Sequence, residues 1–175
     1  MIAVGLINAY RNGNLPDPDA EAMALARLRQ LAAHEVGHTI GLAHNFAAST
    51  NERASVMDYP HPLAELSRGG ISLSDAYDNG IGDWDKQAIK YGYQVFENEG
   101  AGLQSVLDEN NNKKLRYITD QDARPISGFH PYAHLWDNGT DAVRELRRII
   151  EYRRSVINSF SDNVLPNKTP LSELE

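Results

Sequence analysis

The stretch His34-Glu35-Val36-Gly37-His38-Thr39-Ile40-Gly41-Leu42-Ala43-His44 carries residue types at spacings that suit metal chemistry, in the pattern H-E-x-x-H-x-x-G-x-x-H. His34 and His38 are four apart, so a helix presents both imidazoles on one face, where two nitrogens reach one ion at about 2.0–2.1 Å. Gly41 tolerates positive φ and lets the backbone leave the helix sharply, so the returning chain can deliver His44 as a third ligand. Three protein nitrogens leave a fourth position open, the layout of a catalytic zinc site rather than a closed structural one. Glu35, one residue past His34, falls beside the ion near a bound water. Zinc lowers the pKa of such a water toward about 7 and polarises a carbonyl oxygen. Glu35 is then expected to take the proton during attack on a peptide carbonyl and pass it to the leaving amine. A lone histidine would read as a satisfied core residue; five fixed residues at these intervals read as a Zn2+ site.

The elements around the motif follow from pattern and punctuation. The 175 residues fit a single domain over 1–175 and can bury a real core. Asp17 resembles an N-cap with Pro18 at the first helical position, and the spacing predicts a zinc helix over about 18–43. Its stripe of Leu25, Leu28, Ala32, Val36 and Ile40 is expected to face the core. Residues 2–7 suit a short strand, Asn12–Pro18 a turn, and 45–82 a mostly irregular stretch. A helix from Asp83 to near Gly92 comes next, then strands at Leu103–Leu107 and Leu115–Thr119 joined by the turn Asp108–Lys114. A C-terminal helix is expected over about 141–160, with the stripe Val143, Leu146, Ile149, Ile150, Ile157 and Phe160. The tail after Ser161 is polar. The fold class is thus mainly α with minor β.

Composition narrows the partners. There is no cysteine, so thiolate zinc sites and disulfide scaffolds are excluded and any metal is held by His, Asp or Glu. The net charge of −7 argues mildly against nucleic acid or an anionic membrane surface as main partner. No apolar run is long enough to span a bilayer.

The motif resembles that of the metzincin clan of zinc peptidases. A second mark of that clan is a tight turn with methionine below the zinc, and Ser55-Val56-Met57-Asp58-Tyr59-Pro60 fits it, with Met57 thirteen residues after His44. The resemblance implies that this Met-turn, over 55–60, sets Met57 as an apolar floor under the imidazoles. It also implies that Tyr59 ligates the resting metal or hydrogen-bonds the oxyanion, as in the astacin-like and serralysin-like branches. Pro60–Leu66 would line the pocket for the substrate residue after the cut bond. Asn45 departs from the Glu, Asp, Ser or Pro that follows the third histidine in those branches. His44-Asn45-Phe46, with Gly82–Ile89, Tyr117–Ala123 and Trp136-Asp137-Asn138-Gly139, is similar to a poorly characterised family of large bacterial zinc-dependent metallopeptidases. Export to the periplasm or outside is implied by that resemblance only.

Metzincin catalytic domains place a sheet before the zinc helix, and its edge binds extended peptide. Only 33 residues precede His34 here, so the upstream sheet is expected to be largely absent and the chain to be the C-terminal part of a larger catalytic unit. Its partners would be a peptide or protein substrate and the upstream part of the same polypeptide. The expected function is hydrolysis of peptide bonds; the alternative is a non-catalytic zinc- or peptide-binding module lacking the substrate-binding sheet. A zinc hydrolase of a non-protein amide would use the same site.

Weaker signals are weighed alongside. Asp108–Asn112 begins like a calcium loop, but Lys113 and Thr119 stand where such a loop needs Gly and Glu, so a hairpin turn is the better reading. Asp120 and Asp122 admit a second ion or an outer partner for a ligand histidine; solvated strand-end charges are the favoured reading. His61, His130 and His134 are expected at the surface. Arg144, Arg147, Arg148, Arg153 and Arg154 are expected as a solvated face paired with Glu145 and Glu151.

Overall fold

The computed structural model describes residues 18–67, 70–124 and 130–159. Helix α1 (Pro18–Thr39) leads into an irregular stretch holding one 3-10 turn (Ala48–Asn51). A hairpin follows, β1 (Glu65–Ser67) against β2 (Gly70–Ser72), antiparallel with Leu66 opposite Ile71. Then come α2 (Asp83–Tyr93), α3 (Glu99–Asn112), the short α4 (Asp120–Ala123) and α5 (Ala142–Ser159). The molecule is mainly helical with minor β, as the sequence indicates. The expected strand at 2–7, most of the turn before Pro18, and the tail after Ser161 lie outside the described residues.

The main core packs Val56 and Met57 with Ala48, Ala54, Trp84 and Leu115, and Ala33, Leu42 and Ala88 close its edges. It therefore joins α1, the irregular stretch, α2 and the segment after α3. Trp84 stacks flat on Tyr117, centroids 5.2 Å apart.

Helix α1 ends at Thr39, four residues before the expected boundary. Gly41 takes φ +86°, and the Leu42 N–H returns to the Gly37 carbonyl while the Gly41 N–H returns to that of His38. This pair of bonds satisfies carbonyls that the helix end leaves free and turns the chain back along the core. The expected core stripe of α1 is overturned: Leu25, Leu28 and Val36 are 44%, 60% and 58% exposed. The buried face is Met23, Gln30, His34 and Gly37 instead. Polar and small residues face inward because they serve the site, not only the core.

The expected strands at 103–107 and 115–119, and the turn between them, are also overturned. Residues 99–112 form one helix, started by Asn98, whose side chain accepts the Ala101 N–H at 3.0 Å. Lys114 then takes φ +55° and residues 115–119 run beside residues 45–46. The only ladder among the described residues is β1–β2, inside the stretch expected to be irregular. On α5, Val143, Leu146, Ile150 and Ile157 are exposed, and Phe160 lies outside the described residues. Arg148 leaves the expected solvated face. It grips Glu145 through two bonds of 2.7 Å and donates to the Ala64 carbonyl, anchoring α5 to the chain before β1.

Candidate metal centre

Three histidines converge where α1 meets the returning chain. Each has its Nδ1 against an acceptor. His34 Nδ1 lies 2.7 Å from the Val56 carbonyl, His38 Nδ1 2.9 Å from the Leu42 carbonyl, and His44 Nδ1 2.6 Å from Asp120 Oδ2. Carbonyls and carboxylates only accept, so Nδ1 is the donor in each ring and every Nε2 keeps its lone pair. Gly41 serves this twice: its turn brings Leu42 round to His38 and carries His44 back to the helix.

One ligand atom from each ring lies within 4.8 Å of the others, and no other such group of three occurs among the described residues. His34 Nε2 and His38 Nε2 are 3.1 Å apart. With both Nδ1 atoms protonated, neither Nε2 has a hydrogen to share, and two lone pairs that close call for a cation between them. Two nitrogens bound tetrahedrally at 2.0–2.1 Å would sit roughly 3.3 Å apart. The donor set thus fits Zn2+, which neutral imidazoles hold well.

Met57 is fully buried in the main core, against Gly37 of α1. A Cβ placed on Gly37 would come within 2.4 Å of its sulfur, so the helix admits methionine here only because position 37 is glycine. The Asn45 N–H donates to the Met57 carbonyl at 3.0 Å, tying the loop after His44 to the turn. Tyr59 hydroxyl stands 2.9 Å from His44 Nε2, the ring nitrogen left to accept. Glu35 is exposed, and its charge reaches His34. Burial pushes the His34 pKa down, aided by His38 and His44 and opposed by the Val56 bond and Glu35.

The turn is held from α2. Asp85, 1% exposed, accepts from Ser55 Oγ at 2.6 Å, the Val56 N–H at 2.9 Å and the Gly82 N–H at 2.7 Å. Val56 in turn offers its carbonyl to His34. Burial raises the Asp85 pKa against these three donors. Gly82 approaches so closely that an added Cβ would lie 1.9 Å from the Ala54 carbonyl oxygen. Within the turn, burial is the main cause that lifts Asp58 to about 7, with the charge of Asp137 adding to it.

Four contributors escape the motif: Asp85, Asn45, Asp120 and Trp136. Gly82-x-x-Asp85 before a helix is a capping pattern that signals the first. Asn45 stands out in the sequence as a departure, and the structure gives its use. Its fully buried side chain donates to the Arg116 carbonyl at 2.9 Å and accepts the Ile118 N–H at 3.2 Å. Asp120 is not a solvated strand-end charge: it opens α4 and bonds His44, with Arg124 on its other oxygen at 3.2 Å. Burial would raise its pKa, but the His44 and Arg124 bonds outweigh that and hold it below the usual carboxylate range. Asp122 stays exposed. Trp136 stacks on Tyr59 at 5.6 Å, and its backbone N–H donates to the Tyr59 carbonyl. It borders a cleft of about 700 Å³ lined by His61, Pro62, Ala64, Ile149, Tyr152 and Val156, among others.

The remaining candidates stay apart. His61 packs near Trp136 at 5.8 Å, and His130 and His134 join no metal-like group. Asp108–Asn112, expected as a hairpin turn, belongs to α3. No described helix is long and apolar enough to cross a membrane. A family model described as Met-zincin matches residues 16–175. No curated protein and no solved structure shows a significant match.

Proposed function

Because the chain belongs to the Met-zincin family, we propose that it is a zinc-dependent peptidase whose metal is held by His34, His38 and His44. The observation that carries this is the set of three occupied Nδ1 atoms, which leaves three Nε2 lone pairs gathered at one place. When bound, zinc supplies an acidified water and a Lewis acid for the scissile carbonyl.

The rest is the work of the chain. Glu35 is the general base: it is exposed, one residue from His34, and free to accept a proton and hand it to the leaving amine. Tyr59 donates its hydroxyl proton in a hydrogen bond to the charge that develops on the carbonyl oxygen, moving off His44 Nε2 to do so. Trp136, stacked on Tyr59, fixes the direction of that ring. Met57 keeps the floor dry and the imidazoles seated in this Met-turn. The cleft past Trp136 would take the residue after the cut bond, as expected for the chain following Pro60.

The test is metal content and cleavage of a mixed peptide library by wild type and Glu35→Gln. Wild type should hold about one zinc per chain and cleave. The variant should keep the zinc and lose cleavage by at least about 100-fold. Equal cleavage by both removes Glu35 as the base. Zinc retained with no cleavage by wild type favours the binding-module alternative.

A further inference from the structure

Of the three histidines, His44 alone hands its Nδ1 hydrogen to a charged group; His34 and His38 use backbone carbonyls. The partner, Asp120, lies 76 residues away in sequence, so the contact is a product of tertiary structure. Its placement is controlled. The Phe46 N–H donates to the Ile118 carbonyl at 2.8 Å, and Asn45 clamps Arg116 and Ile118 from the same side. The residues that follow His44 thus grip the residues that precede Asp120. At the far oxygen, Arg124 holds the carboxylate in line.

Taking the three-histidine centre as read above, we infer that Asp120 is the positioning residue for the third ligand. It fixes His44 as the Nδ1–H tautomer with Nε2 aimed at the metal, and its negative charge makes that nitrogen a better donor toward a dication. His44 leaves α1 on a bend and has no helix to orient it, so the carboxylate takes over the task that helical geometry performs for His34 and His38. The zinc site is therefore closed by the segment 115–124, and its affinity depends on that segment being docked.

The experiment measures Zn2+ dissociation constants by chelator competition, and the visible spectrum of the Co2+-loaded protein, for wild type and four variants. Asp120→Ala should weaken zinc about 10–100-fold and change the Co2+ spectrum. Asp120→Asn, nearly isosteric, should fall between it and wild type, because an amide oxygen still accepts the Nδ1 hydrogen without the charge. It keeps the test decisive should the alanine variant fail to fold. Asp122→Asn, at an exposed neighbour, should match wild type. Folded Asp120→Ala or Asp120→Asn binding zinc within about twofold of wild type, with an unchanged Co2+ spectrum, overturns the inference alone. Zinc affinity that is the same in wild type and His44→Ala overturns the three-histidine centre, and this inference with it.

Discussion

Asp85, on α2, and Asp58, within the turn that carries Met57, are both buried, yet they differ in what surrounds them. Asp85 takes three donors, two of them main-chain N–H groups. Truncating it strands those donors in the core. Asp85→Ala should cost about 3–5 kcal/mol in urea unfolding and weaken zinc binding, because Val56 loses its anchor. Asp58 is held near 7 against an ordinary value of 3.8, chiefly by burial. The folded state therefore keeps a proton that the unfolded state gives up, so stability falls as pH rises from about 4 to about 7. A shift of that size corresponds to at most about 4 kcal/mol. Unfolding of wild type and Asp58→Asn at pH 5 and pH 8 checks it. The variant should gain relative to wild type at the higher pH, and parallel behaviour would show that Asp58 is ionised in the folded protein.

At the level of elements, α1 is a helix chosen for its site. Its presence and its glycine bend are legible in the sequence, because i, i+4 histidines and a following Gly state a geometry directly. Its inward face is not legible, because hydrophobic periodicity assumes that apolar residues face in, whereas Gln30, His34 and Gly37 do. Substitutions separate the two faces. Met23→Ala should cost about 2–3 kcal/mol and Leu28→Gln less than about 0.5, by chemical denaturation. Helix α3 was hidden for another reason: Asn110–Asn112 and the charges before them read as a turn, and the weak apolar content at 103–107 fits either period. The cap at Asn98 was the available signal. Helix α2 was placed correctly, but its service to the turn depends on contacts across 29 and 30 residues that no local pattern encodes. Gly82→Ala tests that contact. The added methyl meets the Ala54 carbonyl, so unfolding should shift by at least about 2 kcal/mol, far beyond the usual glycine-to-alanine effect.

For the whole molecule, the three ligands and Asp120 gather α1, the bend after it and the start of α4 around one point. A ligand bound only by the folded state adds RT ln(1 + [L]/Kd), about 4 kcal/mol at a thousandfold excess over Kd. Thermal unfolding with and without a chelator should therefore differ by many degrees in wild type and hardly at all in His38→Ala. A similar chelator effect in that variant would place the stabilising metal elsewhere. The link that makes the fold and the ion interdependent runs through Val56, whose N–H meets Asp85 and whose C=O meets His34. Both connections are peptide groups. An alanine scan would register at position 56 only the loss of two methyl groups, while the relay itself ran on untouched; proline there would cut it. Such wiring lets an aliphatic site drift in sequence while its essential contribution stays fixed, out of reach of any tally of side chains.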